Sequence, residues 1–215
     1  MTKADVTIVD YGVGNLLSVQ RAFENCGATV EITSNPEIIM ESNRLVLPGV
    51  GAFPKAMKAL ENLNLIKVIF DYGQSNKPLL AICLGMQLLM DTSNEFGLST
   101  GLGLISGKVI AIPKVSVVGE TLKIPNIGWK NLLYSDNTNS ISESILKNLE
   151  YVSSVYFVHS FMVQTSNPDH QLAHISYGGN IITAVIKKGK ITGCQFHPEK
   201  SGTVGLQILK NFAGQ

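Results

Sequence analysis

The chain has 215 residues, enough for one domain with a sizeable hydrophobic core, and its composition is that of an ordinary globular protein. A net charge of +1 and 15% charged residues argue against a nucleic-acid-binding or membrane-binding surface, and no apolar run is long enough to span a bilayer. We therefore expect a single domain over residues 1–215, with neither nucleic acid nor membrane as a partner.

The cysteines and histidines indicate a reduced protein without a metal. Cys26, Cys83 and Cys194 cannot all pair, and none forms a C-x-x-C motif. We interpret them as free thiols in a cytoplasmic protein, in keeping with the absence of a visible signal peptide. The four histidines do not combine with cysteines in a metal-ligand pattern, so we expect neither metal nor cofactor.

The chain begins with a predicted strand at 6–10, two glycines and a helix from Asn15. The apolar residues of this helix recur at helical spacing, and Gly27 ends it. Dinucleotide-binding folds begin in a similar way, but their third glycine would fall at Leu17. We therefore favour a plain tight turn between strand and helix.

Two more strands are predicted at 29–32 and 44–47, with a helix that begins at Asn35-Pro36 between them. The third strand leads into Pro48-Gly-Val-Gly-Ala-Phe53, whose glycines are free to adopt unusual backbone angles. Such a loop is either a plain connection or a device that points a backbone N–H at a developing oxyanion. Helical segments are predicted over 55–73.

The stretch 77–90 predicts a short buried strand at 79–82 that passes directly into a helix. Cys83 lies at the junction, with the small residues Ala81 and Gly85 two positions away on either side. This is the nucleophile-elbow pattern, in which a tight turn places the nucleophile at the end of the sheet. The positive end of the following helix favours the thiolate. A lone cysteine is more often a core residue, so a partner base is required.

Alternating strands and helices predict a mostly parallel sheet with helices on both faces, and this arrangement would place a site at the carboxyl ends of the strands. The later chain is richer in glycine and in short strands. Its predicted elements are strands at 108–113, 122–124 and 131–134, a helix at 140–149, a strand at 152–158, a hairpin of 181–186 with 190–195 over Lys188-Gly189, and a helix at 203–212.

A base for Cys83 is predicted in the segment Gln195-Phe-His197-Pro-Glu199. His197 and Glu199 are two residues apart, so they point the same way on an extended segment, and the carboxylate can fix the tautomer of the imidazole. His159 is a rival base, but no carboxylate follows it at that spacing. We therefore predict Cys83, His197 and Glu199 as a catalytic triad.

At these residues the chain resembles the class I (triad) glutamine amidotransferase family, and most of all its glutaminase subunits that serve imidazole glycerol phosphate formation. Six motifs in the family's order cover nearly the whole chain. They are Val-Asp-Tyr-Gly-Val-Gly-Asn (9–15), Leu-Pro-Gly-Val-Gly-Ala-Phe (47–53), Ile-Cys-Leu-Gly-Met-Gln (82–87), Gly-Trp (128–129), Tyr-Phe-Val-His-Ser (156–160) and Gln-Phe-His-Pro-Glu-Lys-Ser (195–201). The resemblance implies the family's flavodoxin-like α/β fold with added antiparallel strands.

The resemblance also implies an activity and a set of site residues. The activity is glutamine hydrolysis through a Cys83 thioester. The implied oxyanion hole consists of Val50, Gly51 and Leu84, and the implied glutamine-binding residues are Gln87, Glu95, Ser160 and Phe161. Glu95 would meet the α-amino group of glutamine, and the backbone at 160–161 would hold its carboxylate.

A second subunit is implied because free ammonia would be protonated and lost in water, and the chain has no room for an acceptor domain. By resemblance the partner is a (βα)₈-barrel cyclase that forms a heterodimer with this chain. It would use the ammonia to form imidazole glycerol phosphate and aminoimidazole carboxamide ribotide in histidine biosynthesis. The candidate contact residues are Asn15, Asn126, Trp129 and Lys200.

Residues 126–130 are Asn-Ile-Gly-Trp-Lys, where the family more often has His-Met-Gly-Trp-Asn. This departure leaves open a paralogous synthase that aminates a sugar of a surface polysaccharide. A hypothesis of another class is a non-catalytic binding subunit, although all three triad positions are filled. A third is an unrelated elbow-cysteine protein of the chaperone or protease-like kind, but such proteins lack the distal His-Pro-Glu.

Overall fold

The computed structural model describes residues 3–134, 141–150 and 152–215. The helices are α1 (Leu16–Asn25), α2 (Pro36–Glu41), α3 (Phe53–Asn62), α4 (Leu65–Gln74), α5 (Leu84–Leu88) and α6 (Gly202–Ala213). The strands are β1 (Val6–Val9), β2 (Val30–Thr33), β3 (Leu45–Leu47), β4 (Leu79–Ile82), β5 (Thr92–Ser93), β6 (Ser99–Thr100), β7 (Gly107–Ala111), β8 (Asn126–Asn131), β9 (Leu133–Tyr134), β10 (Ser154–His159), β11 (Phe161–Thr165), β12 (Gln171–Tyr177), β13 (Asn180–Lys188) and β14 (Ile191–Cys194). Across these ranges, no helix is long and apolar enough to cross a membrane.

The central sheet has the strand order β2-β1-β3-β4-β14-β13-β12-β9 in the part of the chain that is described. The first five strands are parallel, and the last three continue the sheet in antiparallel pairs. Two smaller sheets, β10-β8 and β11-β7-β5-β6, lie apart from it. The predicted α/β architecture, a mostly parallel sheet with added antiparallel strands, is therefore confirmed.

Both faces of the parallel strands are covered, which explains why β4 is an unbroken apolar run. Successive side chains of a strand point to opposite faces. Leu80 and Ile82 therefore belong to a core that includes α1 and α6, where the rings of Phe23 and Phe212 are 6.1 Å apart. The alternate β4 side chains belong to a second core that includes α3 and α4.

The predicted helix over 55–73 is two helices, α3 and α4. Asn64, just before α4, has a φ of 56°, which lies in the left-handed region. A residue in that conformation cannot continue a right-handed helix, so the chain turns there. The other predicted elements of the N-terminal half are present, with boundaries that differ by one or two residues.

Between β7 and β10 the predictions were partly wrong. Residues 122–124 form no strand in the described structure, where an isolated bridge joins Val115 and Thr121. The strand lies further along at β8, which pairs with β10, and only the last two residues of the predicted strand at 131–134 form β9. Of the predicted helix at 140–149, residue 140 lies outside the described residues, 141–142 are helical, and 143–148 form turns with a bend at 144.

The predicted hairpin is confirmed as the pair β13 and β14. Its turn falls at Gly189-Lys190, one residue later than predicted, because Lys188 still pairs with Ile191. A second hairpin, β12 with β13, was not predicted. It turns through Gly178 and Gly179, whose φ values of 58° and 80° favour glycine. Strand β11 was also not predicted.

Candidate active site

Cys83 lies at the junction of β4 and α5, as the elbow pattern predicts. Its φ of 54° and ψ of −108° are uncommon for a residue with a side chain, and such backbone strain is often found at functional sites. A Cβ on Gly85 would lie 1.9 Å from the carbonyl oxygen of Leu47, so only glycine fits there. The helix that follows is short, with five residues.

His197 and Glu199 are hydrogen-bonded, as their spacing predicts. Nδ1 of His197 is 2.8 Å from Oε1 of Glu199, and their side chains are 3% and 1% exposed. A carboxylate can only accept here, so Nδ1 carries the proton. Nε2 of His197 is buried and has no hydrogen-bond partner within the described residues. The triad candidate therefore has one imidazole nitrogen fixed and the other free.

The charge of His197 is set by opposing effects. Burial favours the neutral imidazole, but the interactions with Cys83 and Glu199 outweigh burial and raise the pKa of His197 to about 10. Because Nε2 has no hydrogen bond of normal geometry, we attribute the contribution of Cys83 to charge attraction. The arrangement therefore favours a protonated imidazole at His197, next to Cys83.

One backbone hydrogen bond and a bridge through the Ser201 hydroxyl hold the His197 backbone against strand β10. The His197 N–H donates to the Tyr156 carbonyl at 3.0 Å. The Ser201 hydroxyl donates to the His197 carbonyl at 2.6 Å and accepts from the Tyr156 N–H at 2.9 Å. Ser201 belongs to the last of the six motifs, but no role was predicted for it, because its partner on β10 is far away in sequence.

His159, the rival base, has both ring nitrogens occupied. Nδ1 lies 2.8 Å from the carbonyl oxygen of Phe161, and Nε2 lies 3.0 Å from Nδ2 of Asn126. The carbonyl accepts and the amide nitrogen donates, so the ring is neutral with its proton on Nδ1. Burial is the main reason that the pKa of His159 falls to about 4. This geometry favours His197 as the base.

The candidate partner contacts differ in exposure. Trp129 is 54% exposed, Lys200 is exposed and Asn15 is half-buried. Asn126 is completely buried, because its side chain points inward to His159. A contact between Asn126 and a partner therefore remains a prediction, and this side chain is not accessible in the structure of the chain alone.

The loop between β3 and α3 contacts the elbow directly. The Leu84 N–H donates to the carbonyl of Gly49 at 3.3 Å, so this predicted oxyanion donor is already engaged. The buried Tyr11 hydroxyl holds the preceding carbonyl, that of Pro48, at 2.7 Å. Gly51 has a φ of 100°, which glycine tolerates.

A cavity of about 280 Å³ opens beside the sulfur, a size that suits a small metabolite. The residues that line it include two of the predicted catalytic residues and all of the predicted oxyanion-hole and glutamine-binding residues. They are Val50, Gly51, Cys83, Leu84, Gln87, Glu95, Ser160, Phe161 and His197. The carboxylate of this wall is that of Glu95, which accepts from the Phe53 N–H at 2.7 Å. The cavity thus brings together a thiol, an imidazole and a carboxyl group. No group of three or more histidine, cysteine, aspartate or glutamate residues in the described ranges is arranged to hold a metal ion.

Gln195 is a site residue for which the sequence suggested no role. It is completely buried, and its Nε2 lies 3.6 Å from the Sγ atom of Cys83. Its Oε1 accepts from Nε2 of Gln87 at 3.0 Å. One sequence feature could have indicated Gln195. It lies two residues before His197, in the same motif as the predicted triad residues His197 and Glu199.

Comparison with known proteins shows similarity over nearly the whole chain. Residues 7–215 match the family model "Glutamine amidotransferase class-I". One relative is imidazole glycerol phosphate synthase subunit HisH 1 of Legionella pneumophila (strain Lens), 53% identical over 209 residues, which cover 97% of this chain and 98% of that protein. Another is the HisH subunit of Methanosarcina barkeri (strain Fusaro), 47% identical over 208 residues, or 96% of each chain.

Solved structures share the fold at low identity. A crystal structure of a glutamine amidotransferase has a TM-score of 0.71 at 16% identity and covers 97% of this chain and 99% of its own. The structure of PurLQS from Thermotoga maritima has a TM-score of 0.70 at 14% identity and covers 97% of each chain.

Proposed function

Because the chain belongs to the class I glutamine amidotransferase family, we propose that it is the glutaminase subunit of an imidazole glycerol phosphate synthase. One observation carries the proposal: an elbow cysteine faces a small cavity beside a histidine that is oriented by a buried glutamate. High identity to HisH proteins over almost the full length supports the choice of synthase.

The reaction is acyl transfer to sulfur. The Cys83 thiolate attacks the side-chain carboxamide carbon of glutamine, and a C–S bond forms as the carbonyl becomes an oxyanion. The His197 imidazolium gives its proton to the nitrogen, the C–N bond breaks, and ammonia departs. Neutral His197 then takes a proton from water, which adds to the thioester, and the C–S bond breaks to release glutamate. Glu199 keeps the imidazole oriented throughout.

The remaining residues of the cavity bind glutamine. Glu95 meets the α-amino group, and Gln87 lines the same pocket. The backbone at Ser160 and Phe161 receives the α-carboxylate. The proposal thus places the positive end of the amino acid next to the anionic side chain of the wall.

The oxyanion hole requires a local rearrangement. Val50, Gly51 and Leu84 are the proposed sources of backbone donors, but the Leu84 N–H is bonded to the Gly49 carbonyl. A rotation of the peptide after Gly49 would release the N–H and turn a donor towards the sulfur. Removal of one oxyanion donor typically costs about 10²–10³ in rate, so the described state would be slow.

A partner supplies the acceptor and, we infer, the rearrangement. Ammonia must reach the acceptor without release to water, so the partner is a cyclase subunit with a (βα)₈ barrel that forms imidazole glycerol phosphate. Asn15, Trp129 and Lys200 are the contact candidates that the fold leaves at least partly accessible. Coupling of glutaminase activity to this partner would prevent futile loss of glutamine.

The test is glutamine hydrolysis by the purified chain, alone and with the barrel cyclase of the same organism, with and without the cyclase's nucleotide substrate. We expect a large rise only when both are present. No rise, with Cys83 still labelled by a glutamine-mimicking electrophile, would mean a working glutaminase assigned to the wrong synthase. No labelling would favour a non-catalytic binding subunit.

The residues at Asn126 and Lys130 raised a second acceptor as an alternative, but the high identity to HisH proteins does not favour it. A paralogous synthase that aminates a surface-polysaccharide sugar would use the same glutaminase chemistry. The same assay with that synthase in place of the cyclase distinguishes the two acceptors.

A further inference from the structure

The environment of the Cys83 sulfur includes a buried amide that the triad does not explain. Gln195 follows β14 and Cys83 follows β4, and these strands are parallel neighbours in the sheet. Cys194 pairs with Ile82, so the next residue on each strand lies at the same edge. A 2.7 Å hydrogen bond from the Cys83 N–H to the Cys194 carbonyl fixes this register. The sheet therefore holds the amide beside the nucleophile.

The direction of this amide follows from a chain of contacts that begins at a backbone carbonyl. The Phe161 carbonyl can only accept, so the Gln87 atom 3.3 Å away is the amide nitrogen. That nitrogen also lies 3.0 Å from Gln195, which must present its oxygen there. The other end of the Gln195 amide, 3.6 Å from Sγ of Cys83, is therefore the NH₂ group. The reverse orientation would place two NH₂ groups against each other.

We propose that Gln195 stabilises the Cys83 thiolate by donating a hydrogen bond from its locked side-chain amide to the sulfur. A hydrogen bond to a charged acceptor is stronger than one to the neutral thiol, so it favours the ionised form. Gln195 is fully buried, so water does not compete for this contact. The thiolate then has a neutral donor on one side in addition to His197.

This inference rests on the proposed function, because a stabilised thiolate matters only if Cys83 is the nucleophile. It adds a reason for Gln87 to be present besides glutamine binding: Gln87 fixes the direction of Gln195. The wall of the glutamine pocket and the nucleophile are thereby connected through two side chains.

The direct test is the pH dependence of Cys83 alkylation by iodoacetamide in the full-length chain, followed by peptide mass spectrometry to separate it from Cys26 and Cys194. Gln195→Met keeps the approximate size of the side chain and removes both the amide oxygen and the NH₂ group. We expect the midpoint of the alkylation profile to rise by about one to two pH units, the shift that corresponds to a charged hydrogen bond. Glutaminase kcat should fall at least about tenfold, with a smaller change in KM.

Gln171→Met is the matched control, since Gln171 is a partly buried strand glutamine that accepts from Thr183 and makes no contact with the cavity. Its alkylation midpoint should equal that of the parent chain. Gln195→Asn is the second variant, tested if the methionine variant fails to fold by circular dichroism. It is one methylene too short to reach both Cys83 and Gln87, so it should also raise the midpoint.

An unchanged midpoint in a folded Gln195 variant would overturn the proposal, even if activity fell. If the alkylation midpoint rises in the Gln195 variant but the parent chain never hydrolyses glutamine, with or without a cyclase, the proposed function is overturned instead. The two failures therefore give different results.

Discussion

At the scale of single residues, Cys83 has an uncommon backbone conformation and a side chain beside the cavity. Cys83→Ala should abolish glutamine hydrolysis and leave ammonia-dependent synthesis by the partner intact, because the cyclase does not use the thiol. Both rates are measured on the reconstituted complex. Cys26→Ala, which changes a thiol that does not line the cavity, should retain both activities. Persistent glutamine-dependent activity in Cys83→Ala would exclude this residue as the nucleophile.

We expect Glu199 to act on His197 through its charge as well as through its hydrogen bond. Glu199→Gln can still accept from Nδ1 of His197, but it removes a buried negative charge that raises the pKa of His197. We expect kcat for glutamine hydrolysis to fall by about 10²–10⁴, with the pKa of His197 lowered in an NMR titration. Glu61→Gln, in an exposed ion pair with Lys58, is the control and should have parental kcat. An unshifted His197 pKa would contradict the electrostatic role.

His159 predicts a pH dependence of stability. Its pKa is about 4 in the folded chain, below the ordinary value of 6.5, so the unfolded chain binds a proton more readily. The folded chain is therefore destabilised as pH falls from above 6.5 towards 4. Between about pH 8 and pH 5 this group should reduce the free energy of unfolding by about 2 kcal/mol.

The measurement is urea unfolding of the parent chain and of His159→Gln between about pH 8 and pH 5. Over this range the free energy of unfolding of the variant should fall by about 2 kcal/mol less than that of the parent. His174→Gln serves as the control, because His174 is less buried and its pKa is lowered only by that burial. Equal pH slopes in the parent and His159→Gln would show that His159 is not buried in its neutral form.

The sequence predicted the triad residues but not Gln195, and the difference has a physical cause. The elbow and the His-x-Glu spacing are local patterns, whose geometry is set by a few adjacent residues. The contact between Gln195 and Cys83 depends on the pairing of β14 with β4, whose residues are more than a hundred positions apart. A single sequence does not reveal such a pairing.

At the scale of elements, the elbow depends on the close approach of α5 to β3. Gly85→Ala would place a methyl group 1.9 Å from the Leu47 carbonyl oxygen, so the helix must shift and displace Cys83. We expect about 2 kcal/mol or more of lost stability in urea unfolding and loss of glutaminase activity. Gly214→Ala is the control, since its φ is −94° and its nearest contact is 3.5 Å, and its stability should change by less than about 0.5 kcal/mol. Parental activity in Gly85→Ala would mean that the elbow tolerates displacement.

The same dependence on distant partners explains which elements were predicted. The parallel strands are short apolar runs buried on both faces, so composition alone indicates them. The run at 122–124 is also partly apolar, yet it lies beside the β12–β13 turn, where Leu122 contacts Gly178, and it forms no ladder in the described structure. Strands β8 and β11 contain polar residues and are stabilised by pairing with β10 and β7. Their sequences give a weaker local signal.

At the scale of the whole molecule, the site forms where the parallel strands end. Strands β3, β4 and β14 are neighbours, and their carboxyl ends lead to the 48–52 loop, Cys83 and the 195–197 segment. Ligands of open α/β sheets bind at this edge. The antiparallel pair β8 and β10 adds a wall, because His159 ends β10 and lines the cavity. One strand pair thus connects the cavity with the exposed face of Trp129.

Trp129 is therefore our candidate for the centre of the partner interface. It is a half-exposed aromatic residue on β8, its ring lies edge-on to Tyr156 at 6.0 Å, and Tyr156 precedes the cavity residues of β10. Large exposed aromatic side chains are often the residues that contribute most to binding. Trp129→Ala should weaken binding of the proposed cyclase partner, measured by titration calorimetry, by about thirtyfold, which corresponds to about 2 kcal/mol. Phe70→Ala, at a 39% exposed aromatic residue on α4, should bind as the parent does.

Because β8 and β10 connect this face with the cavity, Trp129→Ala should also reduce the partner-induced rise in glutamine hydrolysis at limiting cyclase. Unchanged affinity would place the docking face elsewhere and remove the proposed path from partner to oxyanion loop.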